Sequence, residues 1–175
     1  VIEKKFIKTT IVDFQVKKLN EYVIFTSKNA VKSVLKNRIE NQVRDKKIFC
    51  VGQKTKLFLE KNHYLVQESA DYASDLGLII KEKYKNHSFT FFSGNIRRNT
   101  LPDLLNKNFI KWNEVVVYET ALNPKKVKEN IDGILFFSPS AIESYLIKNI
   151  IENQTCFCIG TTTAKALENK TKNIQ

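Results

Sequence analysis

A sequence pattern that occurs twice in this chain limits the folds available to it. Residues 25–35 (FTSKNAVKSVL) return in pattern as residues 136–146 (FFSPSAIESYL), and residues 48–55 (IFCVGQKT) return as residues 156–163 (CFCIGTTT). Each copy has a short apolar run, a turn with Gly or Ser, and a helical pattern, which is typical of a strand leading into a helix. We therefore predict two related α/β domains in one chain.

Strands and helices alternate along the rest of the chain. Besides the repeats, the pattern predicts a helix over residues 29–43, a short strand near 64–67, a helix over 72–84, and strands at 89–92 and 115–118. Alternation through short turns predicts parallel sheets flanked by helices, of the doubly wound type. In that class the ligand binds at the carboxyl ends of the strands.

Charge and composition limit the class of partner. The 175 residues carry 29 Lys and Arg against 18 Asp and Glu, a net charge of +11. Such a surplus suggests an acidic ligand, with a merely lysine-rich surface as the alternative. The lysines are scattered and no nucleic-acid-binding motif accompanies them, so we expect no nucleic-acid partner. No apolar run approaches the ~18 residues of a membrane span, and we predict a cytoplasmic protein without a membrane partner.

The cysteines do not indicate a metal site. Cys50, Cys156 and Cys158 lie inside apolar strand runs, and the chain has only two histidines. This spacing matches no zinc pattern, so we expect buried structural thiols and no metal.

Glycines and hydroxyl residues follow the predicted strands in both copies. Glycines at strand ends let backbone N–H groups approach an anion, although a tight turn requires Gly for conformation alone. Helix starts at Ser27 and Ser138 suggest capping. Thr55 and Thr163 each follow a turn glycine by three residues, where they either cap a helix or bind a carboxylate. The residues alone leave these alternatives open.

The succession of these segments resembles the uroporphyrinogen-III synthase family. The segments that carry the resemblance are residues 25–31, 51–52, 93–98, 101–102, 117–120, 136–140 and 159–164. The resemblance implies an active site in an interdomain cleft, and two related domains joined by a two-stranded β-ladder. The terminal domain would comprise residues 1–5 and 121–175, the ladder 6–18 and 113–120, and the inserted domain 19–112. The family's opening strand and helix, and its last strand and helix, have no counterparts here, so we expect an incomplete terminal domain.

The resemblance also implies a reaction. The family cyclises hydroxymethylbilane to uroporphyrinogen III in heme biosynthesis, with loss of water and inversion of the last pyrrole ring through a spiro intermediate. It is a lyase without cofactors, and we expect a monomer. The eight substrate carboxylates would explain the basic charge. Two other classes stay open: a non-catalytic anion-binding or sensory module on the same fold, and a nucleic-acid-binding protein.

Tyr118 is the candidate general acid, because a phenol with an ordinary pKa near 10 is protonated at neutral pH and can donate to a departing hydroxyl. The alternative is an ordinary strand tyrosine. Arg97 and Arg98 are candidates for pairing with acetate or propionate groups, or are exposed arginines at a helix start. The family resemblance implies substrate contacts from Ser27, Asn29, Gly52, Thr55, Ser93, Gly94, Asn95, Arg97, Ser138, Ser140, Gly160, Thr161, Thr162 and Thr163.

Overall fold

The computed structural model describes all residues, Val1–Gln175, and contains eight strands and seven helices. In chain order the elements are β1 (Ile7–Ile11), β2 (Tyr22–Phe25), α1 (Lys28–Lys36), α2 (Glu40–Arg44), β3 (Lys47–Val51), α3 (Gln53–Lys61), β4 (Val66–Ala70), α4 (Ala73–Lys83), β5 (Ser88–Gly94), α5 (Thr100–Lys107), β6 (Lys111–Leu122), β7 (Gly133–Phe136), α6 (Pro139–Leu146), β8 (Thr155–Cys158) and α7 (Thr161–Lys165). No helix is long and apolar enough to cross a bilayer.

The chain divides into two compact units. The larger unit is Thr10–Glu119, and the smaller one combines Val1–Thr9 with Thr120–Gln175. There are two sheets, one of six strands in the order β1-β6-β5-β2-β3-β4 and one of two strands, β7-β8. The two copies of the repeat therefore lie in separate sheets. The predicted α/β class, with mostly parallel sheets and flanking helices, is confirmed.

Helices cover both faces of the central strands in the larger unit. β2 pairs in parallel with β3 and β5, and all four of its residues are buried. On one face Phe25 packs with apolar residues of α1, α2 and α3. On the other face Ile24 packs with residues of α4 and α5, including Leu76 and Leu105. Burial on both faces explains why β2 is a continuous apolar run rather than an alternating one.

The predicted helix over residues 29–43 is two helices in the structure. α1 ends at Lys36, and Arg38 adopts a positive φ of 55°. The Arg38 N–H donates to the Leu35 carbonyl and the Ile39 N–H to the Val34 carbonyl. This is a Schellman ending, in which the left-handed position is usually glycine. Apolar periodicity continued through Ile39, so the break was not predicted.

The same ending occurs after α3 and α5. His63 and Phe109 have φ of 61° and 56°, and their N–H groups donate to the Glu60 and Asn106 carbonyls. In all three endings an asparagine precedes the left-handed residue, and its side-chain amide donates to the carbonyl four residues earlier. These asparagines are Asn37, Asn62 and Asn108.

β6 is a strand of the six-stranded sheet, in addition to the connecting strand that we expected at residues 113–120. It pairs in parallel with β5 from Ser88 opposite Lys111 to Gly94 opposite Tyr118, so this part of β6 belongs to the sheet of the larger unit. β1 is its other neighbour. Within the larger unit the Val12 N–H donates to the Val117 carbonyl, and within the smaller unit the Asn123 N–H donates to the Phe6 carbonyl. Each strand crosses the boundary between the two units.

The smaller unit has one buried and one exposed sheet face. Phe136 and Cys156 point into a core with Ile142, Tyr145 and Leu167. The opposite face of β7 and β8 exposes the large apolar side chains of Leu135 and Phe157, and Phe137 and Ile159 are exposed just past the two strands.

Candidate functional site

Three parallel strands of the larger unit end at one edge of its sheet. Phe25, near the end of β2, lies opposite Cys50 of β3 and Phe92 of β5. The segments after these strands therefore emerge side by side. We call this edge the larger-unit rim; it comprises residues 26–29, 52–55 and 93–97, together with Tyr118 of β6.

Tyr118 packs directly on the backbone of Gly94. A register shift between Ser93 and Gly94 brings Tyr118 opposite Gly94, and the Asn95 N–H donates to the Tyr118 carbonyl over 3.2 Å. A Cβ placed on Gly94 would lie 2.4 Å from Cε2, 2.5 Å from Cζ and 2.9 Å from the hydroxyl oxygen of Tyr118. The half-buried ring thus occupies the space of a side chain at position 94. Tyr118 therefore lies at the larger-unit rim, and its role as a general acid stays a prediction.

Glu114 of β6 accepts hydrogen bonds from the end of β5 and from the segment after it. Its carboxylate accepts from Arg97 Nε at 2.5 Å, from Arg97 Nη2 at 2.8 Å, and from Ser93 Oγ at 2.5 Å. Arg97 Nη1 also donates to Asn99. The hydrogen bonds from Arg97 hold the pKa of Glu114 below its usual range, and the same bond raises the pKa of Arg97.

The sequence predictions missed Glu114. An acidic residue at the start of the β-branched run Val115–Val117 was the available signal. Because Arg97 is paired with Glu114, its guanidinium is already neutralised within the larger unit, whereas Arg98 is exposed. Contact between Arg97 and a substrate carboxylate stays a prediction.

The remaining rim residues of the larger unit have structural roles of their own. Ser27 caps α1 by accepting the Asn29 N–H over 3.1 Å. Gly52 has φ of 85°, a left-handed-side conformation that favours glycine, and its N–H donates to the Ala70 carbonyl over 2.8 Å. This amide is therefore already engaged. Contacts of Ser27 and Gly52 with a substrate stay predictions.

The smaller unit has a corresponding rim, which we define as residues 138–140 and 160–163. Phe136 at the end of β7 lies opposite Cys158 at the end of β8, so these segments also share one sheet edge. Ser138 caps α6 by accepting the Ala141 N–H over 3.2 Å, and Pro139 begins the helix. Ser140 is half-buried.

The two Gly-x-x-Thr turns have the same backbone hydrogen bond. The Thr55 N–H donates to the Gly52 carbonyl and the Thr163 N–H to the Gly160 carbonyl, each over 2.9 Å. Both threonines are buried, at 5% and 3% exposure. Exposed Thr161 and Thr162 are the members of the smaller-unit turn whose side chains face solvent.

The thiols of β3 and β8 include two that lie next to the rims, and a cavity of the smaller unit lies apart from its rim. Burial raises the pKa of Cys50 to about 11, and burial also raises the pKa values of Cys156 and Cys158. All three are free thiols, and such protonated thiols are poor nucleophiles. A cavity of about 210 Å³ in the smaller unit is lined by residues between 126 and 154, and none of the rim residues line it.

Comparisons with known sequences identify the family of this chain. Residues 1–174 match the family described as uroporphyrinogen-III synthase HemD. The chain is 26% identical over 168 residues to the uroporphyrinogen-III synthase of Chlorobaculum parvum, an alignment that covers 83% of this chain and 68% of that protein.

Solved structures share the fold. Uroporphyrinogen-III synthetase from Helicobacter pylori superposes with a TM-score of 0.79 at 21% identity, over 97% of this chain and 83% of that one. A mutant uroporphyrinogen III synthase from Thermus thermophilus gives 0.64 at 12% identity, over 94% and 77% of the two chains. Because the family match covers residues 1–174, this chain belongs to the uroporphyrinogen-III synthase family, lyases of heme biosynthesis that close the tetrapyrrole ring.

Proposed function

We propose that this chain converts hydroxymethylbilane to uroporphyrinogen III and that Tyr118 is the general acid of the reaction. Family membership supports the reaction. The observation that supports Tyr118 is its position at the larger-unit rim, with the hydroxyl end of its ring against Gly94.

The chemistry requires one proton at the start and releases one at the end. The hydroxyl of the bilane's hydroxymethyl group leaves as water when an acid protonates its oxygen, and the methylene carbon stays on the pyrrole ring as the electrophile. Ring closure later releases a proton from the attacked pyrrole carbon, which restores the acid, so the reaction consumes no proton overall. A phenol remains protonated at neutral pH and suits the first step. Because the bilane also closes unaided to the wrong isomer, positioning of the last pyrrole ring must supply much of the selectivity.

Both rims supply the positioning in this proposal. Turn amides, hydroxyl groups and nearby helix N-termini favour carboxylates, and the net charge of +11 raises the local concentration of a polyanion. The proposal includes two domains, residues 1–5 with 121–175 and residues 19–112, a connecting ladder at residues 6–18 and 113–120, and a substrate bound between the domains. The proposed protein acts in the cytoplasm as a monomer.

Tyr118→Phe tests the acid role, because it removes the hydroxyl and keeps the ring. Hydroxymethylbilane generated enzymatically is supplied to the variant, and isomers I and III are separated by chromatography. We expect formation of isomer III to fall about 10²–10⁴-fold, the usual contribution of general acid catalysis. Isomer I from spontaneous closure should take its place.

Tyr64→Phe is the matched control. The Tyr64 hydroxyl is buried in the same unit without a hydrogen-bond partner, so its removal breaks no bond. We expect this control to keep wild-type activity and to unfold at a urea concentration equal to or above that of the wild type, because the hydroxyl it removes is unsatisfied. Tyr118→Phe should unfold near the wild-type urea concentration. Full isomer III activity in folded Tyr118→Phe would leave Tyr118 as an ordinary strand tyrosine. Failure of the wild-type chain to form isomer III would contradict the proposed reaction.

A further inference from the structure

We infer that Gly94 is a positioning residue for Tyr118, because the missing side chain at position 94 leaves the space that the phenol occupies. This inference rests on the proposed role of Tyr118 and assigns Gly94 a role separate from substrate contact. The geometry is specific to the reactive end of the ring. The atoms nearest to the position of an added Cβ are Cε2, Cζ and the hydroxyl oxygen of Tyr118, at 2.4, 2.5 and 2.9 Å.

An added methyl group would displace the hydroxyl. Carbon atoms in contact are separated by about 3.5–4.0 Å, so a Cβ 2.4 Å from Cε2 requires a relative shift of about 1 Å or more. A misplacement of about 1 Å at a reacting group is enough to cost about 10²-fold in rate. Gly94→Ala should therefore displace the Tyr118 hydroxyl oxygen, which is the atom that Tyr118→Phe removes.

The backbone of Gly94 is held on both sides, so we expect the ring to move. On one side, Phe92 is fully buried in the core and Ser93 Oγ donates to Glu114. On the other side, the Asn95 N–H donates to the Tyr118 carbonyl and Arg97 makes two bonds to Glu114. These bonds fix the backbone from both directions, whereas the half-buried tyrosine ring has rotational freedom about its side-chain bonds.

Gly77 offers a matched control for steric strain. It is buried in α4, and a Cβ there would lie 2.6 Å from Cδ1 of Leu104. Gly77→Ala thus introduces a similar overlap in the same unit, at a position that belongs to neither rim. A loss of activity common to both variants would indicate general strain, and a loss confined to Gly94→Ala would indicate a local effect on Tyr118.

The experiment measures the tyrosine and the reaction separately. Isomer III formation gives kcat and KM, and ¹⁹F NMR of a 3-fluorotyrosine incorporated at position 118 reports the surroundings of the ring. For Gly94→Ala we expect kcat to fall about 10²-fold, KM to stay near its wild-type value, and the ¹⁹F resonance to shift. Gly77→Ala should change neither kcat nor the resonance. In a Tyr118→Phe background, Gly94→Ala should lower kcat little further, because the displaced hydroxyl is already absent.

The outcomes separate this inference from the proposed acid role. Wild-type kcat and an unshifted resonance in Gly94→Ala would overturn the inference, as would a lower kcat with an unshifted resonance. A shifted resonance together with full activity of Tyr118→Phe would support the packing of the ring on Gly94 and refute the acid role. If Gly94→Ala fails to fold, Gly94→Ala combined with Tyr118→Ala should fold again, because the clashing ring is gone. Continued failure to fold would overturn the inference.

Discussion

Replacing Glu114 by Gln should destabilise the larger unit, although the variant retains the size of the side chain. The Glu114 carboxylate joins β6 to the end of β5 through one bond from Ser93, and to the segment after β5 through two bonds from Arg97. Gln retains a single acceptor oxygen and has no charge. The Arg97 guanidinium would lose its counter-ion while three-quarters of its side chain stays covered.

The expected loss of stability in Glu114→Gln follows from the exposure of the Arg97 and Glu114 side chains. The Arg97 and Glu114 side chains are 22% and 25% exposed. An exposed pair contributes about 0–1 kcal/mol, and removing one partner of a fully buried pair costs about 3–5 kcal/mol. We therefore expect a loss of about 2 kcal/mol in the free energy of unfolding at pH 7. For a chain of this size, such a loss lowers Tm by about 4–8 °C.

The pH dependence distinguishes this ion pair from simple packing. The bonds from Arg97 lower the pKa of Glu114 in the folded protein, so the folded state favours the ionised carboxylate. The stabilisation is complete above the ordinary glutamate pKa of about 4.3 and is lost as pH falls through the lower, folded pKa. The difference between wild type and Glu114→Gln should hold between pH 7 and about pH 5, and should shrink below that.

Urea denaturation at several pH values measures this difference. Glu119→Gln is the matched control, because Glu119 lies on the same strand and is exposed; it should unfold like the wild type. A Glu114→Gln variant as stable as the wild type at pH 7 would refute the assigned strength of the pair. A loss of stability that does not change with pH would show that the charge is not its source.

Two further predictions concern backbone conformation. Arg38→Gly, His63→Gly and Phe109→Gly should each raise the free energy of unfolding by about 0.5–1 kcal/mol in urea titrations, because glycine relieves the left-handed strain but loses more chain entropy on folding. Destabilisation by all three would contradict this account of the helix ends. Gly52→Ala, at a φ of 85°, should lower the free energy of unfolding by about 1–2 kcal/mol, whereas Gly160→Ala, at an extended φ of 177°, should lower it less. Equal losses of stability in urea titrations would contradict this difference between the two turns.

The strands at the centre of the larger unit were predictable because burial on both faces leaves a direct mark on the sequence. The residues of β2 are all buried and form a continuous apolar run. β5 is also almost wholly buried, but its Phe residues are interspersed with Thr90 and Ser93, whose hydroxyls donate to Asn113 and Glu114. α4 begins and ends within one residue of the range predicted from its periodicity. Its single glycine, Gly77, did not interrupt the helix because it is buried against Leu104.

Helix ends were harder to predict, because their conformation does not depend on apolar periodicity. Ile39, Tyr64 and Ile110 each follow a left-handed residue and pack in the core, so an apolar pattern continues past the end of the helix. No glycine marks these ends. The recurring asparagine was the available signal, since its side-chain amide satisfies a carbonyl that the helix leaves free.

The edge of the sheet that carries the site was predictable from topology, but its internal bonds were not. Parallel strands with in-register ends bring Ser27, Gly52 and Gly94 to one edge whatever their side chains. The pairing of Arg97 with Glu114 depends on how β5 and β6 align, and this alignment shifts between Ser93 and Gly94. A shift of one residue changes which side chains meet. The local sequence therefore does not predict the contact between Arg97 and Glu114.

The duplication accounts for the turns and not for the proposed chemistry. The two Gly-x-x-Thr turns share a hydrogen bond of 2.9 Å but differ in glycine conformation, with φ of 85° at Gly52 and 177° at Gly160. Glycine permits both conformations, so the repeated sequence specifies the hydrogen bond without specifying the dihedral angle. Gly94 and Tyr118 lie outside the repeated segments, and the pairing of β5 with β6 brings them together. The proposed acid and its position therefore depend on the alignment of β5 and β6, which only one of the two units contains.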